Sequence, residues 1–73
     1  MRQAWTQRQP SGSMAIVEGL GLIEIYRDKD GMCVDINGNR AWSAWRASEA
    51  MIAMSMDSYI SQWQYLNSFV GKP

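Results

Sequence analysis

Histidine is absent from this 73-residue chain, and cysteine occurs once, at Cys33. The missing histidine removes the commonest general base and metal ligand. A single cysteine allows no intramolecular disulfide, and the two shortages together exclude the Cys/His zinc sites that staple many small domains. An excess of either charge is also lacking, since seven Lys and Arg balance seven Asp and Glu. There is no basic surplus to hold a phosphate backbone and no acidic surplus to imitate one, so nucleic acid is a poor candidate partner. Long apolar runs are missing too. The strongest stretch, residues 50–54, is far too short to span a membrane. Arg2, Gln3, Gln7, Arg8 and Gln9 interrupt the segment where a secretory signal would be apolar. A free cysteine without a targeting segment points to a reducing, cytoplasmic setting.

What the chain does have is apolar mass. Hydrophobic residues make up 47% of it, too many for a disordered polymer. A domain this small buries only about 60% of its unfolded surface and is marginal without a staple. Good packing or self-association must supply the rest, and a homodimer is a natural expectation.

Residues 1–13 show no periodicity and read as a flexible arm, with Pro10 and the run Ser11-Gly12-Ser13 near its end. Trp5 is out of place in such an arm and is expected to dock on the domain or on a partner. Gly12-Ser13-Met14 also has the look of a junction, which would make Met14 the native start. Residues 14–73 read as one small α+β domain. Residues 14–20 are ambiguous: Ala15, Ile16 and Val17 suit a strand, and Gly19 and Gly21 suit a bulge or bend.

From Leu22 the pattern sharpens. Residues 22–27 are rich in β-formers, residues 28–31 form a strong turn signal, and residues 32–36 make a second strand. Asn37-Gly38 is the favoured dipeptide of a two-residue hairpin, because both residues tolerate positive φ. Residues 39–45 then form the third strand of a meander. Alternation places Ile23, Ile25, Met32, Val34 and Ile36 on one face, since a one-residue slip would invert every side chain. Continuing that parity adds Ala41, Ser43 and Trp45 to the core face. Glu24, Tyr26, Cys33, Asp35, Arg40 and Trp42 fall on the other. A competing reading starts a helix at Asn39, with Trp42 and Trp45 on its apolar stripe and a break near Asp57.

The last segment is helical by its spacing. Ile52, Met56, Tyr59, Trp63, Leu66 and Val70 recur at intervals of four and three, flanked by Ala53 and Ile60. Ser48 is a candidate N-cap with Glu49 behind it, and Gly71 suits the far end. A helix of about 22 residues would run about 33 Å. A five-residue strand runs about 17 Å, so the helix is expected to overhang the sheet or meet another copy. The predicted architecture is therefore a three-stranded antiparallel β-meander with one long C-terminal helix packed on one face.

Candidate chemistry is sparse. Cys33 has no histidine to activate it and sits where cysteine is usually an inert small hydrophobe. Asp28, Asp30 and Asp35 fail the spacing of a calcium loop and are better explained as turn formers and a strand partner. No metal, cofactor or catalytic residue is predicted. The run Arg40-Ala41-Trp42-Ser43-Ala44-Trp45-Arg46 is more suggestive. On a strand it would set Arg40, Trp42 and Arg46 beside Tyr26, and Trp, Tyr and Arg dominate protein-binding hot spots. Against this stands a plainer role, Trp42 covering the back of a thin sheet and Arg40 pairing with Asp35.

The expectation is thus a non-enzymatic protein-binding module acting through Tyr26, Arg40, Trp42, Arg46 and Trp5. An inhibitor of a host defence protein, of the kind phages encode, is one form of it. The alternative is a protein that sequesters a small ligand or nucleotide. Tyr59, Trp63 and Leu66 are the candidate self-association residues.

Overall fold

The computed structural model describes residues 3–70, and the side chains of residues 3–68. The Asn37-Gly38 turn forms as its sequence demands, with Asn37 at a φ of 54° and Gly38 at 84°. It joins two of five antiparallel strands arranged in simple chain order: β1 (Thr6–Gln7), β2 (Ser13–Val17), β3 (Gly21–Asp28), β4 (Gly31–Ile36) and β5 (Asn39–Ala44). A single helix, α1 (Glu49–Val70), follows. The α+β class agrees with the sequence, but the sheet has five strands where three were predicted.

The two extra strands come from the N-terminal third. β1 is only two residues long and pairs Thr6 with Met14 and Gln7 with Ser13. Within the segment read as a flexible arm, Thr6, Gln7 and Ser13 thus belong to the sheet. Its connection holds a cis Gln9–Pro10 bond. Gly12 lies so close to β3 that a Cβ there would sit 2.1 Å from the Ile25 carbonyl oxygen. Trp5 packs against the core, and its Nε1 donates to Asp57 Oδ1 at 2.9 Å.

Register on β3 and β4 follows the alternation. Ile23 faces Ile36, and Ile25 faces Val34. Ile23, Ile25, Met32 and Val34 are buried with Val17, Ile52 and Ile60 in one cluster between sheet and helix. Full burial of one such side chain is worth about 2 kcal/mol, so this small cluster carries much of the stability. Asn37 ties the strand ends together. Its Oδ1 accepts from Leu22 N at 3.0 Å, and its Nδ2 donates to the Leu20 carbonyl at 3.1 Å. Gly21 is required beside it, because a Cβ would overlap the Asn37 side chain.

β5 departs from the predicted parity. Asp35 pairs with Arg40, but Val34 pairs with Trp42, and the register shifts between them. Ala41 is therefore the extra residue of a β-bulge, a device common on edge strands. One inserted residue reverses the alternation beyond it. Trp42 and Ala44 turn to the helix side with Val34 and Met32, while Ser43 faces outward with Cys33. The expected placements of Trp42, Ser43 and Trp45 are thus inverted, and Trp45 is left exposed just past the strand. The competing helix over residues 39–46 does not form.

α1 begins where its cap predicts, with Met51 N donating to Ser48 Oγ at 3.2 Å. Ser13 Oγ also hydrogen-bonds the Glu49 carboxylate. The buried stripe is rotated from the predicted one. Ile52 and Ile60 are buried and Met56 packs beside them, whereas Tyr59 and Leu66 are exposed. Trp63 rests over Gly19 in the β2–β3 turn. Beyond that contact the helix runs past the sheet, as its length requires, in a molecule 45 Å long and 21 Å across. The predicted roles of the Val70 side chain and Gly71 lie outside the described residues.

Candidate functional site

Two surfaces gather the residues that sequence reasoning singled out. The first is the outer sheet face. Tyr26 on β3 and Arg40 on β5 meet there, bridged by a chain of hydrogen bonds. Arg40 Nη2 donates to the Tyr26 hydroxyl at 3.3 Å, and that hydroxyl donates to Asp35 Oδ1 at 3.0 Å. Arg40 also forms ion pairs with Asp28 and, at 3.1 Å, Asp30. Its expected cross-strand partner Asp35 is instead held by Tyr26. The Tyr26 hydroxyl and the two aspartates hold the guanidinium even more firmly protonated than usual. Arg8, which no sequence signal marked, completes the face. Its Nε donates to Glu24 at 2.8 Å, and its guanidinium lies 4.4 Å from the centre of the Tyr26 ring.

Beneath this network Cys33 is fully buried. Its thiol donates to Asp28 Oδ1 at 3.2 Å. Burial first, then the bond to Asp28, pushes the thiol pKa up, the opposite of an activated nucleophile. Asp28 is shifted down, chiefly by the Asp30 backbone N–H at 2.8 Å, then by the Cys33 thiol and Arg40. Among the described residues no group of three or more His, Cys, Asp or Glu is placed to hold a metal ion. Among the described residues no helix is long and apolar enough to cross a membrane. The outer face is thus a polar layer whose charges answer one another.

The second surface is a groove between β5 and α1. α1 lies over the middle strands, so the inner side of β5 is left uncovered. Val34, Ile36, Ala41 and Trp42 form one wall, and Ile52, Ser55, Met56 and Tyr59 form the other, around about 360 Å³. Trp42 and Tyr59 are each nearly half exposed, at 47% and 46%. The bulge makes this wall, because it brings both Ala41 and Trp42 to the groove side of β5. β5 is also the free edge of the sheet, and among the described residues no strand pairs with its far side.

The candidate residues therefore separate. Tyr26 and Arg40 share the outer face, Trp42 stands on the opposite side, and Trp5 is committed to Asp57 on α1. Arg46 is exposed in the connection to α1. Tyr59 belongs to the groove, Trp63 covers Gly19, and Leu66 is exposed on the overhang. Comparison with protein-family models, with curated proteins and with solved structures finds no match for this chain.

Proposed function

We propose that this protein is a non-enzymatic binding module that captures an extended segment of a partner protein along β5. The observation that carries the reading is the free edge strand lying directly beside an apolar groove walled by half-exposed Trp42 and Tyr59. Strand addition supplies main-chain hydrogen bonds, and alternate side chains of the added strand enter a neighbouring pocket. The inward side chains of a strand laid against β5 would point into this groove. The outer face with Tyr26 and Arg40 suits this role less well, since its charges are already paired. An inhibitor of the phage type, blocking a host protein by occupying such a segment, is one form of the module.

Selection from a displayed library of random peptides tests the reading. Enriched sequences should be extended and alternate apolar with polar residues. Their capture should be lost both in Trp42→Ala, which removes one wall, and in Ser55→Phe, which fills the groove from the other side. Circular dichroism of both variants controls for folding. Peptides that bind equally well to both folded variants, or a library that yields nothing, would sink the proposal.

A second reading has one observation in its favour. A volume of about 360 Å³ is within the range of small-molecule sites. The walls offer the Ser55 and Tyr59 hydroxyls and the Trp42 indole as polar side-chain groups and no cation. A sequestered ligand would thus be a small apolar molecule rather than a nucleotide. Quenching of tryptophan fluorescence by apolar ligands, abolished by Ser55→Phe, would favour this reading over strand capture.

A further inference from the structure

The face of α1 that points away from the sheet is nearly without charge. From residue 50 to residue 68 the only Asp, Glu, Lys or Arg is Asp57, and it is turned toward Gln3 and Trp5, accepting from both. A surface helix ordinarily carries its charges opposite its buried stripe. Here the opposite side carries Met51, Met54, Ser58, Gln62 and Tyr65. Met51, Met54 and Tyr65 are each at least 60% exposed.

These five positions are spaced three, four, four and three, a pattern that is the same read from either end about Ser58. Such spacing follows one stripe of a helix. It is also what a two-fold axis requires, because an isologous interface uses the same patch on both copies. Two antiparallel α1 helices crossing at Ser58 would set Met51 against Tyr65 of the second copy and Met54 against Gln62. Ser58 would face its own mate. Methionine against an aromatic ring is a favourable contact, and the small serine lets the helices approach at the axis. No like charges are brought together, and a molecule of zero net charge does not repel its copy.

The molecule also leaves more surface uncovered than its mass requires. The chain exposes 5285 Å², whereas a compact monomer of its mass would expose about 4,600 Å². The difference is spread over an elongated molecule, and the exposed Met51, Met54 and Tyr65 of α1 contribute to it. From the palindromic stripe, its missing charge and this excess area, we infer that α1 pairs with α1 of a second copy, antiparallel and centred on Ser58. The seam lies around the helix from Tyr59 and leaves the groove beside β5 open. It also differs from the Tyr59, Trp63 and Leu66 face predicted from sequence.

Sedimentation velocity over a range of protein concentrations tests the pairing, with two substitutions at Ser58. The unmodified chain should sediment as a dimer that dissociates on dilution. Ser58→Glu places two carboxylates at the axis and should weaken association by roughly tenfold or more. Ser58→Cys should cross-link two chains under mild oxidation, while Ser43→Cys on the outer sheet face should not. A monomer at every concentration overturns the inference, whatever else the face then binds. So does a dimer that survives Ser58→Glu, or one that cross-links as readily through Ser43→Cys as through Ser58→Cys.

Discussion

Asp28 sits at the meeting point of three kinds of donor: the Asp30 amide, the Cys33 thiol and the Arg40 guanidinium. Each favours its charged form, and its pKa is lowered. The sign of the consequence follows from linkage. A carboxyl that ionises more readily when folded contributes stability above its ordinary pKa of about 4 and loses it as pH falls through the folded value. Acid titration of the urea midpoint should therefore show a falling limb below about pH 4. In Asp28→Asn that limb should flatten, with the remaining carboxylates supplying what is left. An unchanged limb in the variant would show that the three bonds at Asp28 do not tune its ionisation. Cys33 beneath it has the inverse character, a thiol kept protonated by burial.

Between residues and the whole sheet, the bulge at Ala41 decides what β5 presents. Ala41 has no partner on β4, and the register is regular on either side of it. Deleting Ala41 should close the ladder into an ordinary hairpin and keep Trp42 opposite Val34. Deleting Ser43 should instead move Ala44 to the outer face. Thermal denaturation should find the first deletion within about 1 kcal/mol of the parent and the second costlier, since a slip turns core-facing side chains outward. Equal losses would place the irregularity elsewhere. The same element shows where the sequence was legible. Ile23, Ile25, Val34 and Ile36 alternate strictly, and turn dipeptides mark both ends of β4, so face and register on β3 and β4 could be read directly. Nothing in residues 39–45 marks an inserted residue: there is no glycine at the bulge, and the run of tryptophans and alanines fits either parity. The groove followed from that one shift, so Trp42 was noticed but assigned to the wrong side. β1 escaped for a different reason. Two residues carry no periodicity, and the contacts that anchor the segment, Trp5 to Asp57 and Arg8 to Glu24, lie far along the chain.

At the scale of the whole molecule, the N-terminal strand and the helix are joined through one latch. Trp5 packs on the core and donates to Asp57, which also accepts from Gln3 N at 3.0 Å. Trp5→Ala should cost about 2 kcal/mol in urea denaturation, from lost burial and an unmade hydrogen bond. Trp5→Phe should recover the packing share only. A loose arm would lose nothing in either case, so identical midpoints for all three proteins would refute the latch. Its partners lie 52 residues apart in the chain. That distance sets an order on assembly as the protein is made. Trp5 is made 52 residues before the carboxylate it needs, at a synthesis rate of about 5–20 residues per second. Until then the indole N–H and the Gln3 amide have no acceptor on the helix, and this latch can close only after the middle of α1 has been translated.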